Sequence, residues 1–246
     1  YNNRFEKASW SEVYKIIKSK IENTDKDKIC GFIGDLINME TSFIFKEFFE
    51  RTIDSKNYES RSTQSFIDTS IRENYVFNST INGIEEADFI LLVGTNPRYE
   101  ATILNARIRK AFLNNNTKIF SLNDVGDLTY TYQSLDGQTQ TLKNIFENKN
   151  HVSKNILDAK KPMIIFGESF FNTKSASYLF NSFKDFLFQN KKFNDEWNPI
   201  NLLSVDAASV GNYDLDIVNE KSNLIKELNE NKFDLIYLLG QDNLNF

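Results

Sequence analysis

Cysteine and histidine occur once each in 246 residues, at Cys30 and His151. One thiol excludes a disulfide within the chain and any iron-sulfur cluster held by the chain's own thiolates. One imidazole leaves a Ser-His-Asp triad or a multi-histidine metal site to be built around His151 alone. No stretch approaches the roughly 18 consecutive apolar residues of a membrane span, so direct insertion into a bilayer is not expected. An excess of positive charge is missing too: 29 Lys and Arg stand against 34 Asp and Glu, for a net charge of -5. That balance offers no electrostatic footprint for nucleic acid, which is not expected as a partner.

What is present describes a globular α/β protein. Hydrophobic residues make up 40% of the chain and the mean hydropathy is -0.46, and the length suits one large or two small domains. Only 9 Gly beside 22 Phe and 10 Tyr, with abundant Asn, Lys and Ile, suggest an A+T-rich coding sequence, a bias of organelle genomes and of many bacteria. Short apolar runs recur at Ile29-Ile33, Phe89-Val93, Ile119-Leu122, Met163-Phe166, Leu202-Val205 and Leu235-Leu239, with helical patterns between them. This alternation predicts a doubly wound α/β arrangement. Ser9 three residues before Glu12 predicts a capping box that opens a helix with Val13, Ile16, Ile17 and Ile21 on its core face. Phe43, Phe48 and Phe49 mark a second helix, Tyr178 to Phe188 a third and Leu224 to Leu228 a fourth, their Phe stripes read as core. Lys56 to Asn82 is polar and weakly periodic and reads mainly as irregular surface chain, while Asp127 to Tyr132 reads as extended chain ending in a turn at Leu135 to Gln138. Cys30, between Ile29 and Gly31, reads as a small strand residue facing a core.

The stretch from Ala87 to Lys110 carries the most information. Phe89-Val93 predicts a buried parallel strand, Gly94 and Asn96-Pro97 punctuate its end, and Ile103, Ala106, Arg107 and Lys110 recur at helical spacing. Asn96 suits a helix cap and Pro97 a first helical position. The wording Gly-Thr-Asn-Pro-Arg-Tyr-Glu-Ala at 94 to 101, followed by Leu-Asn-Ala-Arg-Ile-Arg-Lys at 104 to 110, resembles the large iron-sulfur subunit of respiratory complex I, in its region related to molybdopterin oxidoreductases. Tyr75 to Asp88 is similar to the same subunit. Phe5 to Glu12 and Ala159 to Gly167 resemble the opening and the return strand of the molybdopterin oxidoreductase domain, which extends the resemblance to almost the whole chain. The resemblance implies Rossmann-like lobes of the molybdopterin oxidoreductase fold, with a discontinuous outer lobe at 1-57 and 150-246 and an inserted lobe at 58-149.

The same resemblance frames the candidate sites. Relatives that carry molybdenum place the loop matching Gly94 to Arg98 near a pterin dinucleotide, where Gly94 would allow close backbone approach and Arg98 would meet a phosphate. Capping alone also accounts for Asn96 and Pro97. Molybdenum enzymes of this fold present a Cys, selenocysteine, Ser or Asp ligand early in the inserted lobe, near a preceding cluster-binding Cys motif. No such motif is present here, and Ser60, Ser62, Thr63, Ser65 and Asp68, which lie in that segment, read as turn formers. His151, beside Asn150, reads as a surface or capping residue at a helix start. Glu85-Glu86 and Asp195-Glu196 read as helix-terminal or surface carboxylates. Arg107, Arg109 and Lys110 with Glu100 form a charged helix surface that is solvated, paired internally or used in docking. No residue is assigned a catalytic, cofactor-binding or metal-binding role.

The resemblance therefore implies a non-catalytic structural domain of the large iron-sulfur subunit in the peripheral arm of complex I. Iron-sulfur clusters are expected on the N-terminal part of the subunit or on a partner chain, and the other peripheral-arm subunits are the expected partners. The expected location is the matrix side of the mitochondrial inner membrane, or the cytoplasmic side in a bacterium. The alternative is a fragment of a catalytic molybdopterin-dependent oxidoreductase; an unrelated small-molecule-binding α/β module fits the long motif poorly. The chain opens at Tyr1 without an Arg-rich or amphipathic leader, and the run Phe233 to Gly240 is followed by only six residues. A parallel strand needs about a dozen or more residues to cross over, so the chain is expected to be one piece of a larger subunit, with an exposed apolar patch near Leu235 to Phe246.

Overall fold

The computed structural model describes residues 6-60, 65, 67-218 and 224-241. Its strands are β1 (Ile29–Ile33), β2 (Tyr58–Glu59), β3 (Phe89–Val93), β4 (Lys118–Ser121), β5 (Gln133–Ser134), β6 (Pro162–Gly167), β7 (Ile200–Leu203) and β8 (Leu235–Leu239). They form two parallel sheets, ordered β2-β1-β8 and β5-β4-β3-β6-β7, and helices fill most gaps between strands. The chain divides accordingly into two compact units, the described residues of Tyr1–Thr63 with Gly211–Phe246, and those of Gln64–Val210.

Each unit builds its own core. In the first, β1 is buried along its whole length and its residues alternate between two faces. Ile29 and Ile33 meet Phe45, Phe49, Ile53 and Tyr58 on one side, and Cys30 and Phe32 meet Leu224 and Leu228 on the other. Tyr237 of β8 joins the ring cluster, 6.1 Å from Phe45 and 5.8 Å from Phe48. Full burial of one such ring is worth about 1.5–3 kcal/mol, which makes this cluster the main apolar anchor of the three-stranded sheet. On β8 the register turns Ile236 and Leu238 outward, and both are exposed. Residues 242-246, the rest of the expected apolar patch, lie outside the described residues.

The capping box is present: Glu12 N–H donates to Ser9 Oγ at 3.4 Å, and Ser9 N–H donates to Glu12 Oε2 at 2.8 Å. It opens the helix Trp10–Glu22, no residue of which is buried. The core face expected for Val13, Ile16, Ile17 and Ile21 is thus corrected. Ile16 and Ile17 are exposed, and only Ile21, near the carboxyl end, packs against the unit's core. Phe43, Tyr178 and Phe188 are corrected in the same way: each lies on a real helix but on its solvent side, while Phe45, Phe180 and Phe183 take the buried positions. Beyond Glu47 the chain widens into a π-helical turn, Phe48–Ile53, and Asp54 ends it in the left-handed region.

The second unit is organised on β3, which pairs with β4 through Leu91 and Phe120 and with β6 through Leu91 and Ile164. One face of this sheet holds Ile90, Leu92, Met163 and Ile165 against Leu104, Ile108 and Trp197. Near the other end of the opposite face, Phe166 packs edge-on against Phe180 at 5.1 Å and Phe183 at 6.1 Å. The expected lobe boundaries do not match these units. β2 pairs with β1, so the first segment runs on to Thr63, and β6 and β7 hydrogen-bond into the sheet of β3, so residues 150-210 belong with Gln64–Val210. The single helix read after Pro97 is also corrected. A one-turn helix, Pro97–Glu100, stops at Ala101 (φ -153°, ψ 73°), and a second, Thr102–Asn115, carries the expected helical spacing and buries Leu104, Ile108 and Ala111.

Candidate functional site

The order β5-β4-β3-β6-β7 means that the chain leaves β3 toward one edge of the sheet and later returns to its other side. In open α/β sheets, ligands bind at the carboxyl ends of the strands where the winding reverses, here between β3 and β6. The backbone that fills this point is Gly94 to Glu100 after β3 and Glu168–Asn172, a 3-10 turn, directly after β6. Gly94 has φ +64°, which a side chain strains to adopt, and a Cβ there would stand 2.9 Å from Phe170 Cβ. Ser169 Oγ donates to Gly94 O at 2.5 Å and ties the two segments together.

The loop after β3 uses its own donors. Asn96 Oδ1 accepts from Arg98 N–H at 3.2 Å, which is the expected cap, and Pro97 occupies the first helical position. Asn96 N–H donates to Glu100 Oε1 at 2.8 Å, and Thr95 Oγ donates to Glu100 Oε2 at 2.5 Å. Asn96 Nδ2 donates to Val125 O at 2.8 Å. The Arg98 guanidinium reaches both the carboxylate and the carbonyl of Asp127 at 2.6 Å. The Thr129 amide first, and then Arg98, hold the Asp127 carboxyl below its ordinary range. Arg98 is therefore already bound to an anion of the same chain.

The other sequence candidates are dispersed. Arg107 and Lys110 both pair with Glu85, Lys110 at 2.7 Å, and together hold its carboxyl low, so two of the three expected surface cations are paired internally. Arg109 is exposed. Lys161 pairs with Glu86. His151 is exposed after its cap Asn150, with Nε2 3.1 Å from Gln133 Nε2. Asp195 and Glu196 are exposed in a tight turn closed between Asn194 and Trp197. Ser60 is buried next to β2, Ser65 is half-buried, Asp68 accepts from both the amide and hydroxyl of Ser70 as a turn former, and Ser62 and Thr63 lie outside the described residues. Among the described residues no three His, Cys, Asp or Glu side chains are grouped to hold a metal ion, and no helix is long and apolar enough to cross a membrane.

One group at the switch point escaped sequence reasoning. Glu168 follows β6 directly, and its Oε1 is buried without a hydrogen-bond partner, as is Ser204 Oγ nearby. Burial above all, with the Asp206 charge adding to it, pushes the Glu168 carboxyl up. The only signal in the sequence was position, a carboxylate directly after a fully apolar run. An acid whose folded pKa is raised stabilises the fold below its unfolded pKa, and that contribution is lost as pH rises through the folded value. Glu168→Gln is therefore expected to raise Tm by about 2 °C at pH 7.5 and to leave it unchanged at pH 4. An equal Tm shift at both pH values, followed by circular dichroism, would contradict this origin.

Comparison with known proteins extends the picture to the whole chain. The 78 kDa mitochondrial subunit of NADH-ubiquinone oxidoreductase from Candida albicans is 35% identical over 98% of this chain and 33% of its own length. NADH dehydrogenase [ubiquinone] iron-sulfur protein 1 of Solanum tuberosum is 30% identical over 99% of this chain and 32% of its own. The 75 kDa subunit of NADH-ubiquinone oxidoreductase from Reclinomonas americana is 31% identical over 99% of this chain and 37% of its own. The chain thus spans about a third of the length of these relatives. The molybdopterin oxidoreductase family pattern matches residues 1–246 without a gap at either end. On that match, and on two doubly wound parallel sheets, the chain belongs to the molybdopterin oxidoreductase family.

Proposed function

We propose that this chain is a non-catalytic structural domain of the large iron-sulfur subunit of respiratory complex I, in the peripheral arm that supports electron transfer from NADH to quinone. The observation that supports this reading most is similarity along 98–99% of the chain to proteins named for NADH oxidoreductases and dehydrogenases. The lone thiol agrees with it. Cys30 is fully buried and burial pushes its pKa up to about 12, so it supplies neither a cluster ligand set nor a reactive thiolate. Clusters are assigned to the N-terminal part of the subunit or to a partner chain, and the neighbouring peripheral-arm subunits are the partners. The location follows: the matrix face of the mitochondrial inner membrane, or the cytoplasmic face in a bacterium. Gentle detergent extraction of respiratory membranes is expected to recover the chain with NADH:quinone reductase activity on a native gel. Recovery solely as a free monomer would overturn the proposal.

The family match also supports a second reading, a piece of a catalytic molybdopterin-dependent oxidoreductase whose ligands lie elsewhere. Elemental analysis of the purified assembly separates the two. Molybdenum at background is expected, and one atom per assembly would favour the enzyme.

A further inference from the structure

We infer that the switch point between β3 and β6 is closed to the pterin dinucleotide implied by the family, and that the Glu100 carboxylate takes the place of a phosphate there. Three observations converge on this. The donors a phosphate would need are committed: Asn96 N–H and the Thr95 hydroxyl go to the two Glu100 oxygens, and the Arg98 guanidinium goes to Asp127. The space is filled as well. A Cβ at Gly167 would lie 2.2 Å from Gly94 O, so the ends of β3 and β6 are in backbone contact, and Phe170 and Ser169 cover Gly94 from the next turn. Finally, the buried atoms left without partners at the carboxyl ends of β6 and β7 are Glu168 Oε1 and Ser204 Oγ, and Asp206 adds a second acid nearby, so a phosphate entering here would meet acidic groups.

A loop built to receive an anion has thus acquired a resident one. Glu100 sits four residues beyond Asn96, half-buried, and returns both oxygens to the loop that precedes its own one-turn helix. The charge-assisted bonds it makes are the stronger class, and their geometry braces Gly94 to Pro97 against the sheet without any ligand. This is separate from the assembly reading, because a complex I domain with an open site and an unassembled protein with a closed one are both self-consistent.

The test uses the full chain and inorganic pyrophosphate. Isothermal titration of the wild type in the millimolar range is expected to give no saturable heat and no change in Tm, while Glu100→Ala melts about 4–8 °C lower. Glu100→Gln, which keeps one acceptor and loses the charge, is expected to melt between the two. Saturable pyrophosphate binding by the wild type would overturn the inference even if no variant folds. So would a Glu100→Ala or Glu100→Gln chain that melts with the wild type.

Discussion

Leu91→Asp is expected to unfold the Gln64–Val210 unit at room temperature. Leu91 is 0% exposed in the middle of β3, with Phe120 on one neighbouring strand and Ile164 on the other. The substitution removes about 1.5–3 kcal/mol of apolar burial and leaves a carboxylate among aliphatic and aromatic neighbours, costing several kcal/mol more. The sum exceeds the roughly 4–5 kcal/mol that marks exceptional substitutions and reaches a large part of a domain's total of about 5–15 kcal/mol. Circular dichroism melting checks it, with Leu91→Met as the volume-conserving control at under about 1.5 kcal/mol. An Asp variant that melts within a few degrees of the wild type would mean that β3 is not the centre of this sheet.

Gly167→Val is expected to be nearly as damaging, for a steric reason. Gly167 has ordinary extended dihedrals (φ -87°, ψ 159°), so the substitution brings no backbone strain of its own. Its Cβ, however, would stand 2.2 Å from Gly94 O and 2.7 Å from Thr95 Cβ, and backbone cannot swing aside as a side-chain tip can. Relief requires β6 to separate from β3 at the switch point, at a cost of about 3 kcal/mol or more. Gly211→Ala is the matched control. Its Cβ meets nothing nearer than Met39 Cγ at 3.7 Å, and the position is helical, so a neutral or slightly positive change in Tm is expected. Equal losses at the two positions, read by denaturant unfolding, would count against the tight crossing of β3 and β6.

The contrast between these positions shows what local sequence encodes and what it does not. β1 and β3 were legible because strands covered on both faces read as unbroken apolar runs, β8 because its residues are apolar throughout although Ile236 and Leu238 are exposed, and β4, β6 and β7 were legible to within one or two residues. Tyr58–Glu59 and Gln133–Ser134 were not, since a two-residue strand on a sheet edge leaves no periodic trace. The caps at Ser9, Asn96 and Asn150 were visible because they are satisfied within three residues. Which face of a helix is covered depends on neighbours far along the chain, and so Ile16, Ile17, Phe43 and Phe188 were read as core and stand in solvent. The same limit applied to the assignment of 150-210, because the pairing of β6 with β3 rather than β1 is a tertiary choice that apolar runs do not distinguish. At the candidate site, the cap and proline were legible. The return of Glu100 into its own loop and the burial of Glu168 were not, because both depend on how the turn after β6 meets the loop after β3.

The placement of β8 beside β1 carries a consequence for how this polypeptide is born. Ile29 pairs with Leu235 and Ile33 with Leu239, so the three-stranded sheet joins segments that leave the ribosome about 200 residues apart. At roughly 5–20 residues per second, β1 waits at least about ten seconds for its partner. During that interval Ile29, Phe32, Phe45 and Phe49 lack part of the surface that later covers them. The intervening Gln64–Val210 carries its own complete sheet and core, and folding first converts a long flexible loop into a compact tether, which lowers the entropy cost of closing β1 on β8. A nascent chain halted before Leu235 is accordingly the species most exposed to chaperones and to aggregation, and a defect in β3 delays the first unit as well as destroying the second.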